Sequence, residues 1–205
     1  MKRNARALAA PVLGGIAAAL VATAAAAAGA ASSRISFVSE RDGNAGVWTM
    51  GADGSDQVRL IGESVVATDF DVSPDGRRIA LVRDLGFRRL LMVGNVDGAN
   101  LTAIGSSKGV ADEPAWSPDG SRVAFTLEAS SGNVDIWTAG SDGTGLLRLT
   151  SSSGVDHDAA WSPDGTQIAF ASDRDGNSEI YAMRADGSLE TQPSRAIGAA
   201  TTRSI

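Results

Sequence analysis

Trp116-Ser117-Pro118-Asp119-Gly120 returns 45 residues later as Trp161-Ser162-Pro163-Asp164-Gly165, and Ser73-Pro74-Asp75-Gly76 stands 44 residues before it. A second phrase keeps the same beat, an apolar residue five positions ahead of an Asp-Gly pair. Its members are Trp48 with Asp53-Gly54, Met92 with Asp97-Gly98, Trp137 with Asp142-Gly143, and Tyr181 with Asp186-Gly187. Both phrases are turn chemistry: Asp can bond its own turn backbone and Gly supplies a positive φ, while Pro presets φ in the first. A period in the forties, with two turn signals and short alternating runs between them, is the signature of a β-propeller blade.

One period resolves into four strands. Pro114 to Ser117 is the first, and the Pro-Asp-Gly turn leads to the alternating run Arg122 to Thr126. A loop around Ser131-Gly132-Asn133 leads to Val134 to Ala139, and Asp142-Gly143 turns that into Leu146 to Thr150. Neighbouring periods repeat the second strand as Arg78 to Val82 and Gln167 to Ala171. All four tryptophans, Trp48, Trp116, Trp137 and Trp161, sit at repeat positions, where packing between adjacent sheets is expected.

The ends depart from the pattern. The first unit opens on Ile35-Ser36-Phe37-Val38, a second-strand pattern that leaves the place of the innermost strand empty. In the last unit Pro193 stands where Leu60, Ile104 and Leu149 supply the apolar residue of the fourth strand. The expectation is an all-β protein: β-propeller repeats in about four blades of four antiparallel strands, the first and last incomplete, forming an open or partial propeller. An open arc leaves two blade faces uncapped. Either the chain is a truncated product, or self-association with another chain covers those faces.

Residues 1–30 are a different object. Lys2, Arg3 and Arg6 precede an uncharged Ala/Val/Leu-rich run that ends at Ala28-Gly29-Ala30, so the segment reads as a secretory signal with cleavage before Ala31. An uncleaved N-terminal anchor is the alternative, since the run approaches the length of a membrane span. Residues 31–192 are then the propeller repeats and 193–205 an irregular tail. Removing the signal leaves 15 basic against 24 acidic side chains, a net charge of −9. That balance argues against nucleic acid and against an anionic lipid surface. With no cysteine there is no lipid-anchored thiol, no disulfide and no thiol chemistry. After cleavage no membrane insertion is expected.

Trp-Ser-Pro-Asp-Gly, a strand such as Ile-Ala-Phe, then Ile-Trp or Ile-Tyr, Asp-Gly and Leu-Thr together resemble the TolB-type propeller repeat. The resemblance runs from Ser33 to Ser188, and the second unit departs from it with Val72 and Met92 in place of the aromatic residues. It implies six blades in a complete ring. Similar blades occur in the envelope protein TolB, in the propeller that gates prolyl-oligopeptidase-type enzymes, and in oligogalacturonate lyases, so the repeat carries no single activity.

One carboxylate recurs at a fixed place, three residues before the strand-one Trp: Glu113 and Asp158, with Asp69 three before Val72. If strand one is innermost, Asp69, Glu113 and Asp158 stand near one mouth of the central channel, where a ring of them would bind a cation or a basic group of a partner. The competing reading makes each a local cap or a bond to the neighbouring blade's backbone. Asp173 to Glu179 resembles the start of a calcium loop but falls where a hairpin is required and has Arg184 at the twelfth position. Gly105-Ser106-Ser107-Lys108-Gly109 matches a hydrolase string without the strand-to-helix elbow that string needs, and His157 is the only histidine. Asn100-Leu101-Thr102 is a glycosylation sequon by pattern only. No catalytic set, metal site or cofactor is expected. The function expected is that of an exported, periplasmic or extracellular bacterial binding module, not an enzyme, with a protein partner in the cell envelope. The alternative is an accessory or truncated propeller from a prolyl-oligopeptidase-type hydrolase or a polysaccharide lyase.

Overall fold

The computed structural model describes residues 21–22, 34–62, 65–104, 109–129 and 132–191. Its strands fall into four antiparallel sheets that follow one another along the chain. The first holds β1 (Val21–Ala22), β2 (Arg34–Ser39), β3 (Gly46–Gly51) and β4 (Val58–Arg59). The second holds β5 (Ala67–Val72), β6 (Arg78–Asp84), β7 (Arg89–Asn95) and β8 (Thr102–Ile104). The third holds β9 (Val110–Trp116), β10 (Arg122–Glu128), β11 (Val134–Gly140) and β12 (Leu147–Arg148), and the fourth β13 (Asp156–Trp161), β14 (Gln167–Ser172) and β15 (Glu179–Arg184). Within each sheet, order in space is order in sequence, so every sheet is a meander and its first strand lies at one edge.

Local chemistry explains why the meanders turn where they do. In the Ser-Pro-Asp-Gly turn of the third sheet the Ser117 hydroxyl donates to Asp119 Oδ1 at 2.6 Å and accepts the Arg122 amide at 2.9 Å. Asp119 Oδ1 also accepts the Ser121 amide at 3.0 Å, and Gly120 takes a φ of 68°. Ser73/Asp75 and Ser162/Asp164 repeat this closure. Hydrogen bonding from the serine hydroxyl, then from the Ser121 or Thr166 amide, holds the Asp119 and Asp164 carboxyls down at about 2. The Asp-Gly turns are closed by a smaller device: Oδ1 of Asp53, Asp97, Asp142 and Asp186 each accepts the amide two residues on.

Alternation sends one set of side chains back toward the preceding sheet and the other forward to the next. Leu91, Val93 and Ile104 of the second sheet meet Trp116, Val123 and Phe125 of the third. Ile136 and Leu149 of the third meet Ile168, Phe170, Tyr181 and Met183 of the fourth. Val47 and Ile61 of the first meet Phe70, Ile79 and Leu81 of the second. Each such side chain, fully buried, contributes about 1.5–3 kcal/mol. The Asp-Gly turns also serve these seams. A Cβ on Gly98 would meet Ile61 at 3.1 Å, one on Gly143 would meet Ile104 at 3.6 Å, and one on Gly187 would meet Leu149 at 3.3 Å or closer. Glycine there answers to close approach by the preceding sheet as well as to its positive φ.

The two ends differ in detail from the sequence reading. Val21 and Ala22 pair with Ser36 and Ile35 in the inner place that the reading leaves empty. They make a two-residue stub where the other inner strands run six or seven residues, and they lie inside the segment read as a signal. At the other end Ala182 and Thr191 exchange backbone bonds of 2.8 and 2.7 Å, the beginning of a fourth strand. The remaining signal residues, residues 105–108 of the hydrolase string with Ser107 among them, and the tail from Gln192 on lie outside the described residues. Asp173 to Glu179 forms the β14–β15 hairpin, with Gly176 at a φ of 92°. Successive sheets pack along the whole series, and no contact of comparable extent joins the first to the fourth among the described residues. The four sheets form an open arc.

Candidate functional site

The inner strands β5, β9 and β13 each break register at one place, between Ala67 and Asp69 against β6, between Asp112 and Ala115 against β10, and between His157 and Ala160 against β14. A bulge of this kind bends the strand and re-aims a side chain. Glu113 and Asp158 lie inside two of those breaks, and Asp69, paired with Val82, borders the third. Glu113 and Asp158 hold φ values of 53° and 55°, a left-handed conformation that costs an L-residue energy and that a glutamate rarely adopts. The fold therefore holds Glu113 and Asp158 at one end of the inner strands by an unusual backbone, with Asp69 at the equivalent place on ordinary backbone.

They meet in series. Glu113 Oε2 accepts the Asp158 amide at 2.8 Å and the Thr126 hydroxyl at 2.6 Å. Asp69 Oδ1 accepts the Phe70 amide at 2.8 Å. Burial raises the Asp69 carboxyl to about 6; the Phe70 amide opposes this, and the charges of Asp112 and Glu113 add to it. Asp112, on β9, is also pushed up by burial although Arg89 pairs with it across the sheet gap. His157 Nδ1 lies 2.9 Å from Asp158 Oδ2. One ligand atom from each of Glu113, His157 and Asp158 falls within 4.8 Å of the others, a spacing that suits one small cation or the head of one basic side chain. Asp158 is the open side of the group, its side chain 68 % exposed.

The local reading of the recurring carboxylate describes Glu113, which bonds the backbone of the next blade. Its charge and that of Asp112 add to the rise of the Asp69 carboxyl. Sequence reasoning missed Asp112, Arg89 and His157 as members of this group. The first and last of these were signalled by their adjacency, since Asp112-Glu113 and His157-Asp158 occupy equivalent places in consecutive repeats. Asp71 was also missed: it accepts the Trp116 amide at 2.7 Å, and burial raises its carboxyl.

The sequence model of the TolB beta propeller domain matches residues 23–201. The chain belongs to that family. A putative TolB from Agrobacterium tumefaciens shares its fold with a TM-score of 0.69 at 22% identity, over 80% of this chain and 58% of that one. TolB from Acinetobacter baumannii follows with a TM-score of 0.65 at 19% identity, over 77% and 39%. A Mycobacterium tuberculosis puromycin-hydrolyzing peptidase gives a TM-score of 0.62 at 16% identity, over 82% and 30%. At such identities the likeness concerns the fold. This chain spans less than two thirds of each of these relatives. No curated protein matches it by sequence.

Proposed function

We propose that this TolB-family propeller is exported and works in the bacterial envelope as a non-enzymatic binding module, its acidic mouth receiving a basic group of a protein partner. The observation that carries the reading is the series Asp69, Glu113 and Asp158 at one end of the inner strands, the last two on left-handed backbone and the first raised by burial and by the charges of Asp112 and Glu113. A guanidinium or ammonium group offsets those charges directly, and bidentate acceptance suits arginine. Membership of the TolB family and the basic-then-apolar start of the chain support export.

The pH linkage gives the test its sign. Asp69 titrates near 6 in the folded protein and near 3.9 when unfolded, so between those values the native state holds the extra proton and stability falls as pH rises. A basic ligand favours the ionised carboxylate and restores what is lost. A hexa-arginine peptide at a hundredfold excess over its dissociation constant is therefore expected to stabilise the protein by about 2.7 kcal/mol at neutral pH, and by less near pH 4. Thermal unfolding with and without the peptide reads this, with calcium and magnesium as parallel probes. The combined variant Asp69→Asn, Glu113→Gln, Asp158→Asn should lose the response. An unresponsive parent, together with a destabilised variant, would leave three backbone caps and no site.

Export is read separately, by N-terminal sequencing of the protein recovered from the periplasm or medium. A chain beginning at or near Ala31 is expected, and cleavage there would also remove the β1 stub. Met1 on membrane-bound material would establish an anchor instead.

A further inference from the structure

The seams inside the arc show what each blade face is built to meet. At the second and third seams the earlier sheet offers a small residue from its second strand, Ala80 and then Ala124, both fully buried by the sheet that follows. The later sheet offers the opposite set. Val123 and Phe125, and in the next blade Ile168, Phe170 and Met183, are buried against the sheet before. The cross-strand register Phe125↔Trp137 recurs as Phe170↔Tyr181 and as Phe37↔Trp48, which makes the sheets superimposable position by position.

The arc therefore ends in two unlike faces. The outward face of the fourth sheet carries Ala160 and Ala169, counterparts of Ala115 and Ala124, and both are exposed. The outward face of the first sheet carries Ile35, Phe37 and Met50, counterparts of residues that are buried in the third and fourth sheets but only half-buried here. The turn glycines mark the same difference. Gly98, Gly143 and Gly187 each touch the preceding sheet, whereas among the described residues nothing lies within 4 Å of a Cβ built on Gly54.

We infer that these two faces are the halves of one blade–blade interface, and that a second copy of this chain joins them head to tail, the fourth sheet of one copy receiving the first sheet of the other. The contact continues, between chains, the seam already made three times within the chain. It is heterologous, each copy contributing a different face. The inference is independent of the acidic mouth, which neither variant below touches.

The test is mass in solution by sedimentation or light scattering. The parent is expected to run as two chains or more. Ala169→Arg, at an exposed site, and Met50→Lys should each run as one chain with melting temperatures close to the parent's. Ile35→Glu replaces Met50→Lys if that variant melts early. A mixture of the two single variants should then regain a two-chain mass, because the intact first sheet of one meets the intact fourth sheet of the other. A parent that stays single at its highest soluble concentration, single variants that keep the parent's mass, or a mixture that stays single would each overturn the inference.

Discussion

Replacing Trp116 by alanine is expected to cost about 3–5 kcal/mol of folding stability, the range for deleting a large aromatic side chain from a packed core. The ring is 6% exposed and lies between the second and third sheets among Leu91, Val93 and Phe125. Its indole N–H donates to the Asp71 carbonyl at 3.2 Å, and the Arg78 guanidinium lies over the ring 4.8 Å from its centre. Alanine removes the buried ring, the indole bond and the stack together, and the seam cannot refill the space without moving an inner strand. Urea unfolding followed by fluorescence or circular dichroism should show a lower midpoint with an unchanged slope. Trp161 occupies the same repeat position, with its indole N–H donating to the Ala115 carbonyl at 3.1 Å. It is only partly buried, so Trp161→Ala should cost less. A Trp116→Ala protein with the parent's midpoint would mean that the blade register is wrong.

Asp156→Ala should be nearly as damaging, for a different reason. Asp156 is fully buried on β13. Its carboxylate accepts the Ser172 hydroxyl at 2.5 Å, the Ser152 hydroxyl at 3.1 Å and Arg174 Nη2 at 3.0 Å. Arg174 in turn covers the faces of Phe170 and Tyr181, at 5.3 and 4.6 Å from their centres, and reaches Glu190 with its other arm. Breaking a buried pair by removing one partner costs about 3–5 kcal/mol. Arg174 keeps Glu190, so the loss is expected toward the lower end, from one unpaired guanidinium arm and two serine hydroxyls without their acceptor. Removing both is gentler, so Asp156→Ala with Arg174→Met should be less destabilised than the sum of the single changes. A double-mutant cycle on unfolding free energies measures the difference. Strict additivity would mean that the two side chains do not couple and that Asp156 acts through its serines alone.

The acidic mouth was half legible beforehand. Asp69, Glu113 and Asp158 share a repeat position, and a repeat carries every member of one position to the same end of successive blades. What could not be read was company. Asp112 and His157 join the group because the inner strands bulge there, and a bulge depends on how β9 and β13 pair with their neighbours. Nor does the spacing reveal that Glu113 bonds the Asp158 amide, 45 residues away. The Asp156–Arg174 pair was invisible for the same reason, since nothing in either local stretch marks one as the partner of the other.

The sequence by itself determined the blades. Ser-Pro-Asp-Gly and Asp-Gly close their turns through bonds spanning a few residues, and strict alternation assigns each strand two faces, so both can be read along the chain. It also announced the broken ends, where the apolar positions lapse. Tertiary structure alone decided that Val21–Ala22 pairs at the inner edge of the first sheet, that Ile61 rather than Leu60 reaches Gly98, and that a left-handed backbone aims Glu113 and Asp158 into one cluster. These depend on the register between strands and the approach of one sheet to the next, which are set by packing across distances in the chain that no local pattern encodes.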